Sequence, residues 1–146
     1  MSPVETYQIT IPAATRYLGA VRRFVALHAR AAGFSEQEIE HIKLAVDEAC
    51  TNAIKHAYKG KESGLIDVII HLYPEEFVVI VRDRGPGFDP SKYTMPGIEN
   101  SIRERKGGGY GIHLMRRLMD RVEFKQWNGY NEVHLIKRRH KKRGTP

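Results

Sequence analysis

Apolar residues recur along the chain with two different spacings. Apolar residues at every second position predict strands, and apolar residues at steps of three and four predict helices. The predicted elements in chain order are a strand Val4–Ile11, a helix Ala13–Ala32, a helix from Ser35 to about Ala57, a strand Ile66–Leu72, a strand Phe77–Arg82, a helix from Gly107 through Met119, and a hairpin of strands Val122–Trp127 and Glu132–Ile136.

Short sequence signals support three of these predictions and add a fourth. Ser35-Glu36-Gln37-Glu38 has the form of a capping box, so the second helix begins there. Asn128-Gly129 predicts a tight hairpin turn. The strand from Phe77 to Arg82 is almost entirely apolar, which predicts a central position in its sheet. The polar stretch Pro90–Lys106 is long and irregular, which is typical of a lid or a disordered segment.

The order of the elements predicts the fold class. Helices and strands do not alternate strictly, so an α+β fold is favoured over a doubly wound sheet. We expect a two-layer α/β sandwich, in which the helices cover one face of a mixed, mostly antiparallel sheet. A length of 146 residues fits one domain with a substantial core.

Composition indicates the cellular compartment in which the protein is expected. No apolar run approaches the roughly 20 residues that a membrane helix needs. The first residues do not have the pattern of a secretory signal. The one cysteine, Cys50, has no internal partner for a disulfide, which fits a reducing cytosol and a core position. We therefore expect a cytoplasmic protein that does not contact a membrane.

The positive charge is concentrated at the C-terminus. The formal net charge is +7, and removing the six basic residues between Lys137 and Arg143 leaves +1 for the rest. This predicts a domain over residues 1–136 and a basic tail over residues 137–146. A solvated tail is the simpler interpretation, and an electrostatic arm for nucleic acid or an acidic protein face is the alternative.

The second helix carries a carboxylate and a carboxamide on one face. Glu48 and Asn52 are four residues apart, so their side chains lie one turn from each other. An amide oxygen suits Mg²⁺, and a carboxylate can accept a proton from a hydroxyl or a water. The same spacing also occurs on ordinary exposed helix faces, so the pair alone does not define a site.

Two glycine-rich segments follow. Asp83-Arg84-Gly85-Pro86-Gly87 comes at the end of the apolar strand, where glycines let a ligand approach the backbone and Asp83 can accept a hydrogen bond from an amine. Gly107-Gly108-Gly109-Tyr110-Gly111 opens a helix, where backbone N–H groups form an anion site. A turn and a flexible hinge are the structural alternatives, and neither segment is a Walker A loop.

These three segments together resemble a known family. Residues 44–58 (LAVDEACTNAIKHAY), Asp83–Gly87 and Gly107–Gly111 resemble the N, G1 and G2 boxes of the Bergerat-fold (GHKL) ATPases. Within that class, the chain is most similar to the bacterial anti-sigma-factor serine/threonine kinases. This narrower resemblance rests on the residue sequence TNAIKHAY, the short lid and the length of one domain. The resemblance covers Val4 to Ile136 and implies the Bergerat ATP-binding fold.

The resemblance implies a role for each motif residue. Asn52 would ligand Mg²⁺ on the phosphates, and Glu48 would be the general base for a protein Ser or Thr hydroxyl. Asp83 would bind the adenine amine. The remaining implied roles are the adenine pocket for Gly85 and Gly87, phosphate binding for Gly107, Gly109, Gly111 and Lys55, and neutralisation of the γ-phosphate for Arg105. One departure concerns the final hairpin, where many members have Gly-Thr and this chain has Tyr130-Asn131-Glu132.

The implied function is that of an ATP- and Mg²⁺-dependent protein serine/threonine kinase and anti-sigma factor. It would phosphorylate an anti-sigma-factor antagonist and sequester a sigma factor. Members of this family often form homodimers, and the first strand and helix are the candidate surface. The alternatives are a switch kinase of a stress-signalling scaffold and a non-catalytic ATP-binding anti-sigma protein. A sensor histidine kinase module would need a dimerising helix pair, and a nucleic-acid binder would depend on the basic tail alone.

Overall fold

The computed structural model describes residues 2–58, 64–85 and 109–140. In these ranges, three helices lie on one face of a five-stranded sheet, as the α+β prediction requires. The elements are β1 (Glu5–Pro12), α1 (Leu18–Ala31), α2 (Glu36–Asn52), β2 (Leu65–Leu72), β3 (Glu76–Asp83), α3 (Gly109–Leu118), β4 (Arg121–Trp127) and β5 (Tyr130–Arg138). Within the described ranges, no helix is long and apolar enough to span a membrane.

The strand order is β1-β2-β3-β5-β4, so β3 is the middle strand, as its apolar sequence predicts. The four pairings among the described strands are all antiparallel, which corrects the expectation of a partly mixed sheet. The chain can pair this way because the β4–β5 hairpin inserts β5, rather than β4, beside β3.

One face of the sheet and the inward faces of the helices form the main core. Fully buried side chains from every layer meet there, among them Phe77, Ile66, Ile42, Val21 and Met115. A smaller apolar cluster of Ile69, Val78, Ile80 and Ile136 lies on the other face of the sheet. The period-two pattern of β2 and β3 therefore places alternate apolar residues on both faces, as a central strand requires.

The start of α1 differs from its prediction. α1 begins at Leu18 rather than Ala13, after one 3-10 turn at Thr15–Tyr17. Ala13 is fully buried and its N–H donates to the Gly64 carbonyl at 2.9 Å, so pairing with the neighbouring segment keeps the backbone extended there.

α2 begins with the predicted capping box. The Glu38 N–H donates to Ser35 Oγ at 3.1 Å, and the Ser35 N–H donates to Glu38 Oε1 at 3.0 Å. At its other end the helix continues to Ala57, but residues Ala53–Ala57 form a π-helical turn. Such turns are frequent at functional sites, because the widened turn changes the direction of the following side chains.

The predicted boundary of the basic tail falls inside β5, which ends at Arg138 instead of Ile136. Lys137 Nζ donates to the Leu118 carbonyl at 2.8 Å, and the Arg139 N–H donates to the Glu75 carbonyl at 2.9 Å. His140 Nε2 lies 2.7 Å from Glu38 Oε2. Residues 137–140 are therefore held against the domain, in contrast to the solvated tail expected from composition. Residues 141–146 lie outside the described part.

Candidate active site

The carboxylate and the carboxamide on α2 lie directly beneath the start of α3. Asn52 is one of the few buried polar side chains, and Glu48 is partly buried one turn before it. A Cβ atom added at Gly111 would lie 2.7 Å from Glu48 Oε2 and 3.6 Å from Asn52 Nδ2. Glycine at position 111 leaves the space above this pair open, whereas a larger side chain would occupy it.

Burial changes the acidity of Glu48. Desolvation raises the pKa of this carboxyl above its ordinary value, and the nearby Asp47 raises it further. The positive charge of Lys55 opposes both effects. Lys55 is exposed on the π-helical turn, so its charge acts on Glu48 from the solvent side of the site. A carboxyl with a raised pKa is suited to accepting a proton during a reaction.

The acidic residue at the end of β3 is fixed by two donors. Asp83 Oδ1 accepts the Gly85 N–H at 3.0 Å and Asn131 Nδ2 at 2.9 Å. Asn131 Nδ2 also donates to the Gly85 carbonyl at 2.7 Å. Burial raises the pKa of Asp83, and these two hydrogen bonds lower it. Asn131 is paired with Asp83 across β5 and β3, which explains how a residue 48 positions away reaches this carboxylate.

Tyr58 connects the end of α2 to the end of β3. Its hydroxyl accepts the Arg84 N–H at 2.8 Å and donates to the Leu65 carbonyl at 2.7 Å. A Cβ at Gly64 would lie 2.4 Å from the Tyr58 ring, so the aromatic side chain packs directly on that glycine. The sequence analysis assigned Tyr58 no role, since nothing in its local spacing reveals bonds to residues 7 and 26 positions away.

Removing only the hydroxyl of Tyr58 tests this connection. We expect Tyr58→Phe to lower the free energy of unfolding by about 1–2 kcal/mol, because the Arg84 N–H and the Leu65 carbonyl both lose a partner. Urea unfolding of the variant and of Tyr17→Phe, another partly buried tyrosine near α1, would measure the difference. Equal losses in the two variants would show that the bridge contributes no more than an ordinary hydroxyl.

The structure groups most of the predicted residues at two places. Glu48 and Asn52 both lie within 4 Å of the position that a Cβ at Gly111 would take, and the charge of Lys55 acts on Glu48. Asp83 and Gly85 lie together at the exit of β3, and Gly109 is the first residue of α3. Gly87, Gly107 and Arg105, together with all of the predicted lid, lie outside the described residues. Tyr58 is the addition that only the structure supplies, and Asn131, noted in the sequence as a departure from the family's final hairpin, gains two hydrogen bonds at the end of β3.

In this structure helices cover one face of a sheet, and the helix that carries Glu-x-x-x-Asn packs under a helix whose start is glycine-rich. That is the arrangement of a histidine kinase-like ATPase domain. The family model described as the histidine kinase-like ATPase domain matches residues 11–137 of this chain. This class fits the observation that Glu48 and Asn52 of α2 direct polar groups toward Gly111 in the first turn of α3.

Two relatives narrow this class of ATPase domains to one family. The serine-protein kinase RsbW of Halalkalibacterium halodurans is 40% identical over 129 residues, which cover 86% of this chain and 78% of that protein. The serine-protein kinase RsbW of Bacillus subtilis is 34% identical over 129 residues, covering 84% of this chain and 79% of that protein. The chain belongs to the RsbW serine-protein kinase family of histidine kinase-like ATPase domains.

A solved structure shares the fold. The crystal structure of the RsbU and RsbW domains of a Mycobacterium tuberculosis protein superposes with a TM-score of 0.65 at 20% identity. The match covers 93% of this chain and 33% of that one. At this identity the likeness supports the fold alone.

Proposed function

We propose that this chain is a cytoplasmic ATP-dependent protein serine/threonine kinase that also acts as an anti-sigma factor. It would phosphorylate a small anti-sigma-factor antagonist and, in another state, sequester a sigma factor. Membership of the RsbW family gives the enzyme class, protein serine/threonine kinase. The observation that carries the proposed site is the close approach of Gly111 to both Glu48 and Asn52.

The residues fit a bound Mg²⁺–ATP. The space above Glu48 and Asn52 exists only because position 111 has no side chain, and the start of α3 supplies backbone N–H groups for phosphate oxygens. The Asn52 side-chain oxygen is the proposed protein ligand of Mg²⁺, an ion that usually takes few protein ligands. When bound, Mg²⁺ would neutralise charge on the phosphates. Lys55 and, outside the described residues, Arg105 would add positive charge there.

Glu48 is the proposed general base. Its carboxylate would accept the proton of the substrate hydroxyl as the hydroxyl oxygen forms a bond to the γ-phosphorus. The bond between that phosphorus and the oxygen bridging it to the β-phosphate then breaks, and ADP leaves. Asp83 is the proposed acceptor for the adenine amine, and Gly85 with Gly87 would border the base. Gly107, Gly109 and Gly111 would contact the phosphates.

The proposal also concerns assembly and location. Sigma factors work on intracellular RNA polymerase, so an anti-sigma factor of this kind would act in the cytoplasm. We include a homodimer in the proposal, with β1 and α1 as its surface. β1 is an edge strand, and two large apolar side chains there, Val4 and Leu27, are more than 60% exposed. A nucleic-acid partner is not part of the proposal.

Two substitutions test nucleotide binding directly. We expect Asp83→Asn to weaken ATP binding roughly 10²-fold, because an acceptor-only oxygen is replaced by a group that can also donate. Asn52→Ala should weaken binding of ATP in the presence of Mg²⁺ more than in its absence. Isothermal titration calorimetry with ATP, with and without Mg²⁺, measures both effects.

A matched control for this test is Asp120→Asn. Asp120 accepts the Arg138 N–H at 2.7 Å in the turn between α3 and β4, away from the proposed nucleotide site. Its substitution should leave the ATP affinity unchanged. Unaltered affinity in Asp83→Asn and Asn52→Ala would refute the proposed site, and ATP binding without any phosphate transfer would favour a non-catalytic anti-sigma protein.

A further inference from the structure

Asn131 makes two hydrogen bonds whose chemistry fixes the orientation of its side chain. Its Nδ2 atom lies 2.9 Å from Asp83 Oδ1 and 2.7 Å from the Gly85 carbonyl oxygen. Both neighbours are acceptors only, so the amide nitrogen and not the amide oxygen must face them. Both N–H groups of the carboxamide are therefore used within the protein.

The consequence for Asp83 is that its two oxygens are no longer equivalent. In the described part of the chain, the Asn131 amide and the Gly85 N–H both donate to Oδ1. Oδ2 is thereby the oxygen that remains to accept a hydrogen bond from a ligand. The second bond of Asn131, to the Gly85 carbonyl, holds the start of the glycine-rich loop to the same carboxylate.

The same contacts affect the charge of Asp83. Burial raises the pKa of this carboxyl, and the hydrogen bonds from Asn131 and Gly85 lower it. The two donors thus favour the ionised form, which accepts hydrogen bonds and cannot donate one. Without them, a larger share of Asp83 would be protonated and able to donate.

We propose that Asn131 is a positioning residue that sets the nucleobase specificity of the kinase by holding Asp83 with Oδ2 facing the 6-position of the purine. An acceptor at this point pairs with a 6-amino group and repels a 6-oxo group. The ligand class selected is therefore 6-aminopurine nucleoside triphosphates. This inference rests on the proposed function, because it takes Asp83 as the adenine-binding residue.

The test compares ATP with inosine triphosphate, which has a 6-oxo group in place of the 6-amino group. We expect Asn131→Ala to weaken ATP binding about tenfold and to lower the ratio of ATP to inosine triphosphate affinity by at least the same factor. A freely rotating or protonated Asp83 no longer discriminates against the oxo group. Asn131→Thr keeps one donor on a β-branched side chain suited to a strand, so it should recover most of the ratio.

Two features keep this experiment decisive. Both nucleotides are titrated into the same preparation, so a partly unfolded variant changes the apparent stoichiometry but not the ratio of affinities. Gln37→Ala removes an exposed carboxamide from the first turn of α2, far from Asp83, and should leave the ratio unchanged.

The outcomes separate the inference from the proposed function. Wild-type protein that binds ATP tightly, together with an Asn131→Ala variant that loses affinity equally for both nucleotides or for neither, would overturn the specificity role and leave the kinase proposal intact. Wild-type protein that binds neither nucleotide would overturn both.

Discussion

Replacing Glu48 with glutamine is expected to reduce phosphate transfer by about 10²–10⁴-fold while changing ATP affinity by less than about threefold. Glutamine has nearly the same shape but cannot accept the proton of the substrate hydroxyl. The carboxyl lies beside Gly111 in the first turn of α3, and its pKa is raised chiefly by burial. The loss should therefore appear in the chemical step and not in binding.

The measurement is transfer of labelled γ-phosphate from ATP to the cognate antagonist protein, with the ATP dissociation constant measured in parallel. Glu40→Gln provides the control, because Glu40 is exposed on α2, where it pairs with Lys43 at 3.0 Å. Transfer at the wild-type rate by Glu48→Gln would remove Glu48 from the chemistry.

The pH dependence adds a second readout for Glu48. A general base must be deprotonated to act, so the transfer rate of the wild type should rise with pH as Glu48 ionises. Since burial raises the pKa of Glu48, this rise should lie above the usual range of an exposed glutamate. The rise should be missing from the residual activity of Glu48→Gln.

Adding one methyl group at Gly111 is expected to separate stability from activity. The new Cβ would lie 2.7 Å from Glu48 Oε2, which is closer than two such atoms can remain. The contacted atom is the far end of a flexible side chain, so the carboxylate can move aside at little cost to folding. Alanine is also favoured over glycine within a helix by up to about 1 kcal/mol.

The free energy of unfolding of Gly111→Ala should therefore be close to that of the wild type or higher. The variant should nevertheless transfer phosphate about 10²-fold more slowly. The displaced atom is the one proposed to accept the proton, and misplacement by about 1 Å costs a factor of this size. Thermal unfolding and phosphate transfer on the same samples measure the two effects.

Gly19→Ala is the matched substitution in α1. There an added Cβ would meet the Arg23 side chain at 3.4 Å, near an ordinary contact distance. Its transfer rate should equal that of the wild type. A Gly111→Ala protein with full activity would show that Glu48 does not act from the position seen in the structure.

Much of the fold was predictable because its signals are local. The capping box at Ser35 and the hairpin turn at Asn128-Gly129 both form as predicted, and both turn residues have positive φ angles of 50° and 78°. These features depend on residues within three or four positions of one another. The central position of β3 also followed from its sequence, since a strand with neighbours on both sides can bury apolar residues on both of its faces, as Val78 and Ile80 are buried on the face opposite the helices.

The errors arose where distant contacts override local preference. Ala13 and Ala14 favour a helix by composition, but pairing with Gly64 keeps the chain extended at that point. The basic residues Lys137 and Arg138 suggested a solvated tail, but the register of β5 against β3 continues through Arg138. Neither partner could be identified from nearby sequence.

The sequence by itself determined the elements, the α+β class and the three motifs, because periodicity, caps and glycine spacing act over a few residues. Only the tertiary structure decided that β5 lies between β3 and β4 and that Gly111 closes over Glu48 and Asn52. It also decided that Asn131 bonds to both ends of the segment Asp83–Gly85, while the Tyr58 hydroxyl bonds to Arg84 between them. These contacts join residues 26 to 63 positions apart, so they depend on which elements pack together and not on any pattern along the chain.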